Sequence, residues 1–193
     1  FIGLREREVT LMTSFNDVVK WRRMFHQYPE LSKYEYKTTQ RIKGILTSYN
    51  IKMIDIPMET GLVAEIGQGE KCIAVRTDID ALPIQEQVSQ DFTSTNDEVM
   101  HACGHDIHMA SILAIATKLK EEEEQLNGRV RFLFQPAEEL GYGAKVMAKT
   151  NALDDVQAII GFHNYPTLDI GEFAIKSGPV SYTHLRAHET RHD

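Results

Sequence analysis

Between His101 and His108 the chain places three imidazoles, a thiol and a carboxylate in one short stretch, His-Ala-Cys-Gly-His-Asp-Ile-His. Cys103 and His105 are two apart, so in an extended or loop segment both side chains can face the same way. A thiolate, neutral imidazoles and a carboxylate together suit a borderline-soft divalent cation such as zinc. Taken alone, the stretch is equally explained by a buried cysteine among hydrogen-bonded histidines. Three other places carry groups of the same kind: Asp78 and Asp80 after Cys72–Thr77, Glu138 and Glu139 after Arg129–Gln135, and His163 after Ile159–Phe162. One acidic pair after a strand is ordinarily a cap or a solvated turn. Three strand ends with ligand-type residues, beside a Cys/His loop, are hard to assign to chance, because functional groups in α/β sheets collect where strands end.

Chemistry supplies a reason for the combination. Two metal ions about 3.5–4 Å apart can hold a water and lower its pKa towards neutrality. Cys103, His105, Glu139 and His163 offer a thiolate, two imidazoles and a carboxylate for such a pair. Adjacent carboxylates on a strand end point to different sides, so one can bind metal while its neighbour faces the water as a base. Asp80 is placed to orient a histidine ligand from behind.

The elements that must position these groups are legible from periodicity. Phe15, Val18, Trp21, Phe25 and Tyr28 recur at helical steps up to Pro29, and a second helix is expected from Tyr36 to Tyr49. Strand-type runs follow at Ile51–Ile56, Leu62–Ile66 and Cys72–Thr77, punctuated by Gly61, Gly67 and Gly69. A long helix is expected from Ile107, with Asp106 as its N-cap. Glu121–Glu124 at its far end read as a solvated face. Arg129–Gln135, a helix near Gly141–Lys149, and strands at Val156–Phe162 and Ile170–Ile175 complete the pattern. Helices alternating with short buried strands predict an α/β fold, a three-layer arrangement with a largely parallel sheet and helices on both faces.

Four motifs in order, Arg-Thr-Asp-Ile-Asp-Ala-Leu-Pro, His-Ala-Cys-Gly-His-Asp, Phe-Gln-Pro-Ala-Glu-Glu and Gly-Phe-His-Asn-Tyr-Pro, resemble the dimetal amidohydrolases of the aminoacylase and carboxypeptidase G type. Within that family the match is to the branch with hippurate hydrolase, indole-acetyl-amino-acid hydrolase and N-acetyldiaminopimelate deacetylase. The opening helix, Arg22-Arg23-Met24-Phe25-His26-Gln27-Tyr28-Pro29-Glu30-Leu31, fits the same branch. The resemblance implies a zinc-exopeptidase-like catalytic domain with Cys103, His105, Glu139 and His163 as metal ligands, Glu138 as general base and Asp80 as supporting carboxylate. It implies two divalent ions (zinc, manganese or cobalt) and a small N-acyl amino acid whose amide bond is cleaved. A dipeptidase or aminopeptidase of the same superfamily, or a non-catalytic metal-binding scaffold, are the alternatives. Asp78, His101, Asp106 and His108 lie inside the motifs and are expected to serve as structural hydrogen-bonding groups.

The resemblance runs from about residue 14 to residue 179. Residues 1–179 are expected to be the N-terminal part of the catalytic domain, with the family's lid domain absent. Residues 180–193 do not continue the family and read as a non-native tail. That tail contains the zincin-like His188-Glu189-Thr190-Arg191-His192, which lacks the apolar helical pattern a zincin site needs. The 193 residues carry a net charge of −7 with no basic stripe, so nucleic acid is not an expected partner. No apolar run is long enough to cross a bilayer and no signal-type segment opens the chain, so no membrane partner is expected. With only Cys72 and Cys103, a disulfide is disfavoured and a cytoplasmic setting is expected. Monomer and homodimer stay open.

Overall fold

A computed structural model of the chain describes residues 13–175. The tail from residue 180, with His184, His188 and His192, lies outside the described residues. Two helices open the fold, α1 (Phe15–Gln27) and α2 (Tyr36–Ser48). Ser14 and Asp17 form a reciprocal capping box at the start of α1, satisfying two amides that the helix itself cannot. Strands β1 (Lys52–Ile54), β2 (Leu62–Gly67) and β3 (Cys72–Asp78) follow, then α3 (His105–Glu121), β4 (Arg129–Gln135), the short α4 (Gly143–Met147) and β5 (Val156–Gly161).

The five strands form one sheet in the order β1-β2-β4-β3-β5. β3 pairs in parallel with both β4 and β5, whereas β1–β2 and β2–β4 are antiparallel. The sheet is therefore mixed, not largely parallel as expected: β2 enters beside β4 in the opposite sense. The consequence for the site is direct. β4, β3 and β5 are adjacent and run the same way, so their C-terminal ends open on one edge of the sheet.

Alternation along the strands feeds two cores. Leu62, Ala64 and Ile66 of β2, with Val130, Phe132 and Phe134 of β4, pack under α1, α2 and α3. Val63, Ala74 and Leu133 point the other way and meet Met147 of α4 and Ala152. Helices thus cover both faces, giving three layers. On the second face Arg131 is buried, its guanidinium held by Glu65 Oε2 and by the carbonyls of Ala152 and Asp154.

Two local expectations are corrected. Ile170–Ile175 forms no strand; a turn occupies its start, and Ile170, Phe173 and Ile175 are exposed with no described strand beside them. Glu121–Glu124 is not simply a solvated face, because Glu121 accepts the Thr13 amide and Glu123 accepts the Gly67 amide. Only Glu122 and Glu124 face water. Among the described residues no helix is long and apolar enough to cross a membrane.

α1 is fastened to the start of α3 by a buried ionic knot. His26 donates from Nδ1 to Asp106 at 2.8 Å and from Nε2 to Glu86 at 3.0 Å, while Arg22 reaches the same Asp106 oxygen at 2.9 Å. The Asp106 hydrogen bond raises the His26 pKa; burial opposes it and Glu86 assists. A raised folded-state pKa means that His26 stabilises the fold fully below its unfolded value of about 6.5, and that this contribution is lost as pH rises through the higher folded value. His26→Gln should therefore flatten the fall in melting temperature as pH rises above about 6.5 relative to the parent. Parallel Tm–pH curves for the two proteins would contradict this.

Candidate metal centre

The open edge of the sheet is built from four places. β3 ends in Asp78 with Asp80 just beyond it, the turn after β4 delivers Glu138 and Glu139, and the segment after β5 delivers His163. α3 brings its first turn to the same edge. Its N-cap is Gly104, with φ +84, and not Asp106 as expected; His105 is the first helical residue. Glycine is needed there twice over: the left-handed backbone disfavours a Cβ, and a Cβ would sit 2.4 Å from Asn164 Oδ1. Asp106 is displaced into the first turn, where it is buried against His26 and Arg22.

These turns gather the residues singled out in the sequence. Ligand-type atoms of Cys103, His105 and His163 lie within 4.8 Å of one another, as do those of His105, Glu138 and Glu139. Cys103 Sγ is 3.3 Å from His163 Nε2. His105 Nε2 is 3.7 Å from Glu139 Oε1 and 4.0 Å from Glu138 Oε2. His105 is the hub, common to both groups. Its Nδ1 donates to the main-chain carbonyl of Asp80 at 2.9 Å, with the Asp80 carboxylate at 3.4 Å. Asp80 thus contacts His105 mainly through its backbone, while its carboxylate accepts from Ser32 Oγ and from the Glu139 amide.

A third group, Asp78, His105 and His108, is equally close, but Asp78 and His108 are already engaged in hydrogen bonds. His108 Nδ1 bonds Asp78 at 2.7 Å, and its Nε2 lies 2.6 Å from Asn164 Oδ1 and 3.0 Å from the Asn164 main-chain nitrogen. Asp78 also receives Arg76 at 2.7 Å. His108 therefore ties the His163 segment to β3. His101 differs from these. It is buried with neither ring nitrogen partnered, and burial pushes its pKa down to about 4.

The electrostatics follow from crowding acids around His105. Burial alone would lower its pKa, but Asp80, Cys103 and Asp78 outweigh burial and raise it. The hydrogen bond to Cys103 likewise raises His163 to about 9, and the Cys103 thiol is lowered by His105 first and His163 second. Burial raises Glu139. Two buried atoms, His105 Nε2 and Glu139 Oε1, have no hydrogen-bond partner although they face each other. Buried polar atoms are rarely left so. A cation between them would satisfy both, and the donor set of imidazole, carboxylate and thiol fits that use.

Sequence reasoning did not anticipate Arg22, His26 and Glu86 as one unit with Asp106, nor Asn164 and Ser32 as supports. Their partners stand far away along the chain, beyond any local pattern.

The model of "Peptidase family M20/M25/M40" matches residues 74–192. The chain belongs to this family. It is 46% identical over 166 residues to the N-acetylcysteine deacetylase of Bacillus subtilis (strain 168), covering 84% of this chain and 44% of that protein. The fold of this M20 chain superposes on the crystal structure of the Bacillus subtilis YXEP protein, described as a dinuclear metal-binding peptidase of the M20 family. The TM-score is 0.82 at 45% identity, covering 86% of this chain and 47% of the other. A putative aminohydrolase from methicillin-resistant Staphylococcus aureus gives a TM-score of 0.78 at 36% identity, covering 81% and 43%. The chain spans less than half the length of these M20 relatives.

Proposed function

We propose that this chain carries the dimetal centre and the general base of an amidohydrolase that deacylates N-acyl amino acids. The observation that carries the reading is the pair of buried, unpartnered atoms, His105 Nε2 and Glu139 Oε1, set among Cys103, His163 and Glu138. Cys103, His105, Glu139 and His163 would hold two divalent ions, zinc, manganese or cobalt. When bound, such ions polarise a carbonyl and lower the pKa of a water. The chain's own residues supply the proton traffic. Glu138, partly exposed beside His105, takes a proton from the attacking water as its oxygen bonds to the amide carbon. The C–N bond then breaks and Glu138 returns the proton to the departing amine, releasing a carboxylic acid and a free amino acid. Asp80 holds His105 by its carbonyl and the Glu139 amide by its carboxylate.

The name of the B. subtilis relative makes N-acetylcysteine the first substrate to try. The free thiols of Cys72 and Cys103 support a reducing, cytoplasmic setting. In the whole protein, metal-dependent release of free amine from N-acetylcysteine and other N-acyl amino acids, lost on chelation, is the expected result. A metal-loaded protein inert towards such a panel would reject the reading.

Cys103 gives a second test. As a ligand its thiolate is engaged, so alkylation should be slow with metal and fast after chelation, while Cys72 stays unreactive in its strand. Equal labelling of Cys103 in both states, with the fold intact by circular dichroism, would remove it from the centre.

A further inference from the structure

Beyond β4 the chain turns sharply through Pro136, Ala137, Glu138 and Glu139. Ala137 is fully buried with φ +47, a left-handed conformation that a residue with a Cβ adopts only where its surroundings hold it. Behind the turn Gly143 approaches so closely that a Cβ would lie 1.6 Å from the Pro136 carbonyl. The Ala137 carbonyl accepts the amides of Tyr142 at 3.2 Å and Gly143 at 3.1 Å.

Two carboxylates grip the turn from the front. Glu35 accepts the Ala137 amide at 2.7 Å, and Asp80 accepts the Glu139 amide at 3.0 Å. Both grips lead back to the few residues between α1 and α2, since Ser32 donates to the same Asp80 oxygen at 2.6 Å. Glu35 is wholly buried, and its other oxygen has no hydrogen-bond partner. It stands at the N-cap of α2, yet its side chain caps nothing there. Burying a carboxylate is costly unless the group is needed where it sits. Here its contact is the backbone of a turn a hundred residues away, with Glu138 and Glu139 immediately beyond.

We propose that Glu35 is a positioning residue: its buried carboxylate holds Ala137 in the left-handed turn that aims Glu138 and Glu139 at His105. The inference rests on reading Glu139 as a ligand and Glu138 as the base. Glu35 is not among the candidate ligands. Without its oxygen the Ala137 amide is left buried and unpaired, the turn relaxes, and the carboxylates move off the open edge.

Cobalt(II) titration of the purified chain, followed by the thiolate-to-cobalt absorption of Cys103, tests it without recourse to turnover. Glu35→Leu should weaken cobalt binding about 10–100-fold, as loss of groups that orient metal ligands does. Glu35→Gln keeps an acceptor oxygen at the same reach and should restore most of the affinity. Ile42→Ala, a truncation in the buried face of α2 away from the turn, should lower the urea midpoint yet leave cobalt affinity unchanged. If Glu35→Leu does not fold, Glu35→Ala carries the same expectation. Parental affinity in the Leu or Ala variant, or an equal loss in Ile42→Ala, would overturn the proposal while leaving the metal centre standing. No cobalt binding by the parent chain would overturn the metal centre and the role of Glu35 with it.

Discussion

Glu138→Gln in the metal-loaded whole protein should cut turnover about 10²–10⁴-fold while metal content stays at the parental level. The amide is nearly the same size as the carboxylate but cannot take a proton from water. Glu138 is also the less buried of the two neighbours, whereas Glu139 is the one whose amide is held by Asp80. The pair is therefore not interchangeable: Glu139→Gln should lower metal affinity as well as turnover. Near-parental hydrolysis by Glu138→Gln would assign the base elsewhere.

A large effect on stability is expected at Phe132. It is fully buried in β4, with Ala64 of β2 and Val75 of β3 directly beside it. Phe132→Ala removes a ring that nothing nearby can replace and should cost about 3–5 kcal/mol. Domains are stable by only about 5–15 kcal/mol, so urea unfolding should shift to far lower denaturant or begin in buffer. A loss under about 1 kcal/mol would mean that this core can collapse around the gap.

How much of this was legible beforehand depends on the reach of each interaction. Apolar runs broken by ligand-type residues marked the ends of β3, β4 and β5; for β3 and β4 the reason is that a buried strand tolerates such groups only where it leaves the core. The sequence also placed α1, α2 and the body of α3, whose apolar spacing is local. The start of α3 was misread because Asp106 has the chemistry of a cap, but Gly104 can take the left-handed turn and Asp106 is claimed by His26 and Arg22. Ile170–Ile175 was misread as a strand because it is apolar enough, yet a strand also needs a neighbour to pair with, and none is present among the described residues. The antiparallel seating of β2 on β4 left no local trace either. Nor did Glu35, an acid before a helix, announce that it reaches Ala137.

Among the described residues β5 pairs with β3 alone. Its pairing joins positions as distant in sequence as Cys72 and Val156. Contacts of such long range close late in folding. His163 follows this strand, and its Nε2 meets Cys103 Sγ at 3.3 Å where β5 lies on β3. The apparent affinity of the centre is then the intrinsic affinity reduced by the fraction of time β5 is undocked. On the proposed reading, metal binding and the docking of β5 become a single equilibrium, so whatever clasps β5 to the sheet also tightens the hold on the ions.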